Sequence, residues 1–232
     1  MSANPRHLTY RTEGTQEACL SFGRAGAERR LLIVPPLFEE MNRTRAMLVT
    51  AMRGLAARDV MTLLPDLPGC NESVAMMEQQ AIGSWRKAIE ACAKEHGATH
   101  VASIRGGALI DDGPFLRHWR LAPVKGASLL KTMLRTRMVA DKENGKSSTA
   151  ESLITEAEAT GWVELAGYRL GTAMLLDLDG AVASPVNSLR EVQLGEAPGQ
   201  LWGKPIWLRT EPQEDPDMSM ALAAELDSWS AA

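Results

Sequence analysis

Five residues, Ser103-Ile104-Arg105-Gly106-Gly107, hold positions at which a strand turns sharply into a helix and presents a nucleophile. In such a G-x-S-x-G elbow the central residue attacks an acyl carbon, and small residues on either side let the strained turn form. Here the central residue is Arg105, and a guanidinium that stays protonated cannot attack a carbonyl. The spacing describes a catalytic scaffold without its usual chemistry. Glu39, Glu40 and Asp66 are expected at the same sheet edge as Arg105. Two uses of Arg105 follow. It forks onto Glu39 or Glu40 as a bidentate ion pair that fills the vacated site. Alternatively, together with the backbone N–H groups of Gly106 and Gly107, it holds an anion such as a carboxylate, a phosphate or an acyl-carrier headgroup. The ion pair predicts that Arg105→Ala destabilises the fold; the anion site predicts lost binding with little lost stability.

Other nucleophiles are poorly placed. Ser103 sits two residues before the turn on a buried strand, and Cys70 lies on a loop at the carboxyl end of a strand, where a thiol needs a cation nearby to become reactive. A hydrolase of this architecture orders its triad as nucleophile, acid, then a late histidine. The four histidines are His7, His96, His100 and His118, and none follows His118. Asp177 and Asp179, before Gly180, read as a turn. No glycine-rich phosphate loop and no H-E-x-x-H motif occurs, so the sequence implies no cofactor and no metal. Cys19, Cys70 and Cys92 are widely spaced, without the C-x-x-C pattern of a zinc site or a disulfide framework.

The elements that position these residues read as short apolar runs alternating with helical patterns, the signature of an α/β protein with a mostly parallel sheet flanked by helices. Strands are expected at Glu17 to Phe22 (an outer strand), Arg30 to Pro35, Val60 to Pro65, His100 to Ile104 and Arg117 to Ala122. Further strands are expected at Leu189 to Leu194 and Pro205 to Arg209. Helices are expected over Thr44 to Arg58, from Val74 to a stop at Gly97, and from Met218 to Trp229 with Asp217 as its cap. Glu211 to Asp217 reads as an acidic turn. The helix after the elbow is two turns at most, and residues 124–171 read as a reduced helical cap on a single domain. Within that cap Lys125, Lys131, Arg135, Arg137 and Lys142 mark a basic helix, either a solvated face or a dock for an acidic partner or membrane surface.

The chain has 232 residues, 45% hydrophobic and 23% charged, with a net charge of −4, which suits a folded globular protein and not a nucleic-acid binder. Its longest apolar runs, Leu31 to Phe38 and Met61 to Leu64, are too short to be a transmembrane segment. Unpaired cysteines and the lack of a signal peptide lead us to expect a cytoplasmic location.

Three stretches carry a resemblance: Pro35-Pro36-Leu37-Phe38-Glu39-Glu40-Met41-Asn42-Arg43-Thr44-Arg45, Leu64-Pro65-Asp66-Leu67-Pro68-Gly69-Cys70, and Trp119-Arg120-Leu121-Ala122-Pro123-Val124-Lys125-Gly126. With Leu134 to Arg137 and Val163 to Tyr168, they resemble the second class of α/β-hydrolase-fold proteins associated with the exosortase A system. The resemblance implies an α/β-hydrolase-like sheet and a Gram-negative bacterial source. It also implies an accessory role in exopolysaccharide production and protein sorting, in which a protein of that machinery is a partner. This chain departs from the family in carrying Ser103 where glycine is usual. The expected function is a catalytically degenerate hydrolase-like protein that binds a small anionic or acyl ligand. The alternative is an active ester or thioester hydrolase using Ser103 or Cys70.

Overall fold

The computed structural model describes residues 4–113, 117–209 and 214–232. Seven strands form one sheet: β1 (Arg6–Thr12), β2 (Thr15–Phe22), β3 (Arg29–Val34), β4 (Val60–Pro65), β5 (His100–Ile104), β6 (Arg117–Leu121) and β9 (Leu189–Val192), in the order β1-β2-β4-β3-β5-β6-β9. β1, β2 and β4 pair antiparallel, and from β4 through β3, β5 and β6 to β9 every pairing is parallel. The parallel strands are apolar because both faces are covered: Leu31, Leu32, Ile33 and Val34 of β3 are all 0% exposed. Helices α1 (Glu39–Ala56) and α6 (Pro216–Ala231) cover one face and α2 (Ile82–His96) the other, with α5 (Thr172–Gly180) packed beside α2.

Between β6 and α5 the chain forms α3 (Gly126–Glu143), α4 (Ala150–Thr160) and a hairpin of β7 (Trp162–Leu165) and β8 (Tyr168–Gly171). Helix α3 buries Leu129, Leu130, Met133 and Leu134. On its outer side Lys131, Arg135 and Lys142 are exposed, while Arg137 pairs with Asp141 at 3.0 Å. No helix among the described residues is long and apolar enough to cross a membrane.

Several expectations are corrected. The strand at Glu17 to Phe22 is not the outer one: β1 lies outside it, joined through Glu13 and Gly14, both at positive φ as a tight hairpin requires. Its polar residues His7, Thr9 and Arg11 face solvent, which hid the strand from a reading based on apolar runs. Helix α1 starts at Glu39 because two carboxylates in its first turn complement the helix dipole. Helix α2 starts at Ile82, not Val74, whose side chain is 85% exposed. Residues 205–209 form a short 3₁₀ turn in place of a strand, and Asp215, not Asp217, caps α6 by accepting from the Met218 N–H. Of the expected acidic turn, residues 211–213 lie outside the described residues.

Asp177 and Asp179 belong to helix α5 and not to a turn. The Asp177 carboxylate accepts the backbone N–H of Ile82 at 3.1 Å, so one helix caps the N-terminus of another that has no side-chain cap of its own at Ala81. Asp177→Ala is expected to lower stability by about 1 kcal/mol, the usual worth of a helix cap, in urea unfolding. An unchanged midpoint would mean that water replaces the carboxylate at no cost.

Candidate functional site

The elbow is present in its backbone. Strand β5 ends at Ile104 in extended conformation, Arg105 takes φ = 54°, and Arg105–Leu109 then makes one 3₁₀ turn. A non-glycine residue in the left-handed region is strained, and this is the position where a hydrolase places its nucleophile. Gly107 explains how the turn closes: a Cβ there would lie 2.6 Å from the carbonyl oxygens of both Val34 and Pro35 at the end of β3. Gly106 is similarly enclosed, since a Cβ would approach Leu129 to 2.8 Å and Leu37 to 3.1 Å. The five-residue turn is too short to supply a helix dipole at Arg105.

All three guanidinium nitrogens of Arg105 donate to protein. Its Nε donates to Glu40 Oε2 and its Nη2 to Glu40 Oε1, both at 3.1 Å, and Nη1 donates to the Ala122 carbonyl at 3.2 Å. The guanidinium carbon lies 4.9 Å from the centre of the Trp207 ring. Glu39 reaches Arg43 at 3.5 Å, one turn along α1. Asp66 does not join this group: its carboxylate accepts Asn71 Nδ2 at 2.6 Å and meets Arg45 at 3.4 Å. The structure thus gathers Arg105, Glu39 and Glu40 around one place and leaves Asp66 outside it, with Gly106 and Gly107 buried in the turn behind it.

That place is a cavity of about 360 Å³ between the elbow, the loop after β3, helix α3 and the turn at Trp207. Leu37, Phe38, Leu129, Met133 and Trp207 make it largely apolar, with Ser128 and Thr132 toward its mouth. Phe38 and Ala166 also line it with positive φ, 57° and 50°, so backbone strain clusters here. None of the four histidines lines the cavity among the described residues. His7 is exposed on β1, His96 ends α2, and His100 packs against Trp229 at 5.1 Å.

The alternative nucleophiles are sealed. Ser103 is 0% exposed and donates to Asp111 Oδ2 at 2.5 Å. Cys70 is 6% exposed, and burial, reinforced by the charges of Asp66 and Glu17, pushes its thiol up to about 12, the opposite of an activated cysteine. Behind the elbow Ser103 belongs to a network that the sequence reading missed. Arg120, beside Ser103 in register on β6, donates from Nε and Nη2 to the two Asp111 oxygens at 2.9 and 2.6 Å. It also reaches the Ser184 carbonyl at 2.9 Å, and His118 Nε2 donates to the Asp111 carbonyl at 2.7 Å. The available signal was an arginine inside the strand Arg117-His118-Trp119-Arg120-Leu121, which demands a buried partner.

No protein-family model matches the sequence, and no curated protein matches it. Solved structures do. The chain is similar to mouse α/β hydrolase domain-containing protein 10, with 12% identity over 83% of this chain and 78% of that one and a TM-score of 0.54. It is similar to Est1E of Butyrivibrio proteoclasticus, solved with ferulic acid bound, with 14% identity over 81% and 78% of the two chains and a TM-score of 0.55. A Pyrococcus furiosus esterase gives 10% identity over 83% and 70%, with a TM-score of 0.50. Strand order, elbow and neighbours together define an α/β-hydrolase fold, with a central, mostly parallel sheet flanked by helices.

Proposed function

We propose that this chain is a non-hydrolytic protein of α/β-hydrolase fold that binds an acyl-bearing ligand in the cavity over Arg105. The observation that carries the reading is the bidentate pairing of Arg105 with Glu40 at the nucleophile position. A small anion is the weaker ligand, because Glu40 already neutralises the guanidinium and Trp207 covers one face of it. An apolar wall from Leu37, Leu129 and Met133 suits an acyl chain, and about 360 Å³ is within the range of small-molecule sites. Residues 124–171 act as the cap over this cavity. The resemblance to exosortase-associated proteins supplies the setting, a cytoplasmic accessory of exopolysaccharide production and protein sorting.

The test has two arms. Against a panel of acyl esters and acyl thioesters the wild type is expected to show no turnover above a heat-killed control; activity removed by Ser103→Ala or Cys70→Ala overturns the reading. Titration with decanoic acid and with methyl decanoate is expected to change tryptophan fluorescence, with the ester at least as effective. Trp207→Phe should abolish the change and Met133→Trp should block binding. Absence of binding by either compound sinks the acyl-ligand assignment.

A further inference from the structure

On the far side of the sheet from helix α6, two of the three cysteines meet. Cys19 of β2 and Cys92 of α2, distant in sequence, bring their Sγ atoms to 3.9 Å, and both are buried, 1% and 0% exposed. His96 follows Cys92 by one helical turn, so it shares that face of α2. A ring nitrogen of His96 and the two sulfurs all lie within 4.8 Å of one another. His96 Nε2 is a buried atom with no hydrogen-bond partner. The helix end that carries it is fixed: Arg30 Nη1 donates to the His96 carbonyl at 3.0 Å, and Gly97 stops α2 at φ = 62°.

We propose that Cys19, Cys92 and His96 bind a thiophilic d¹⁰ metal ion, Zn(II) or Cu(I), which clamps the β1–β2 hairpin to helix α2. Two soft thiolates and an imidazole are the donor set that such ions select over harder cations. The sulfur spacing fits a shared ion. With metal–sulfur bonds of about 2.3 Å, sulfurs 3.9 Å apart subtend about 116° at the metal, between tetrahedral and trigonal angles. Cu(I) is satisfied by three ligands; Zn(II) takes a water as its fourth, which the half-buried His96 side admits. Binding deprotonates both thiols, so each ion displaces two protons. At the surface the hairpin also meets α2 through Lys87 with Glu13 at 2.6 Å and the Arg11 N–H with Glu95 at 3.0 Å.

The test uses the full chain, reduced and freed of metal. Zn(II) is titrated in competition with a chromophoric chelator and Cu(I), anaerobically, in competition with bicinchoninate; Co(II) reports thiolate ligation by its charge-transfer absorption. The expected result is a single tight equivalent of Zn(II) or Cu(I), a higher melting temperature with the metal, and a thiolate-to-Co(II) band. Cys19→Ala and Cys92→Ala should abolish all three readouts, His96→Gln should weaken binding by an order of magnitude or more, and Cys70→Ala should change nothing. Should the buried cysteine variants fail to fold, His96→Gln, at a half-buried helix end, still decides. Unchanged affinity in that variant, loss of binding in Cys70→Ala, or no stoichiometric binding of either ion by the folded wild type overturns the proposal.

Discussion

Arg120→Ala is expected to cost about 3–5 kcal/mol, the penalty for breaking a buried ion pair from one side. Arg120 and Asp111 are 3% and 0% exposed in their side chains, and three of the Asp111 carboxylate's hydrogen bonds come from Arg120 and Ser103. Truncating Arg120 leaves a carboxylate in the protein interior with a single hydroxyl donor, and frees the Ser184 carbonyl as well. Asp111 begins the segment that returns from the elbow to β6, so the network ties the turn to the strand beside it. Asp111→Leu combined with Arg120→Met should recover most of the loss, since an apolar pair has no charge to strand. Equilibrium unfolding in guanidinium measures both. A loss below about 1 kcal/mol for Arg120→Ala would show that solvent or a neighbouring group rescues Asp111.

The residues that make the sheet were legible because burial leaves an apolar record. Val60 to Pro65 and His100 to Ile104 coincide with β4 and β5, and the core strand β3 differs from the expected one by a residue at each end. The elbow was legible for a different reason: the strained turn demands small residues at fixed offsets, and Gly107 has no room for a Cβ beneath β3. Features that depend on partners distant in the chain were not legible. Asp177 caps a helix that begins 95 residues earlier, and Asp66 turns to Asn71 and Arg45 because the loop after β4 folds back on itself. The cavity was half legible. Arg105 and Glu40 could be assigned to one sheet edge by topology, whereas Trp207, which completes the site, comes from a turn that apolar content made look like a strand.

Arg105→Ala is expected to destabilise the fold by about 2–3 kcal/mol, below the range of a fully buried pair because Arg105 and Glu40 retain 18% and 15% side-chain exposure. Glu40→Ala should cost a similar amount. The double variant should cost clearly less than the sum, as coupled partners in a mutant cycle do. Glycine at the same position separates backbone from side chain. Ordinarily Gly is the worse replacement, but at φ = 54° it escapes the left-handed penalty, so Arg105→Gly should be more stable than Arg105→Ala by about 1 kcal/mol. Arg105→Ser places a hydroxyl at the elbow and is expected to gain no ester hydrolysis over the wild type, because among the described residues no histidine lines the cavity to accept its proton. If Arg105→Ala unfolds at the wild-type denaturant concentration, the guanidinium is spare and open to an anionic ligand. If it loses stability while Arg105→Gly loses less, the Arg105–Glu40 ion pair stabilises an elbow whose backbone is strained, and the strain is held by the passage of Gly107 beneath the end of β3.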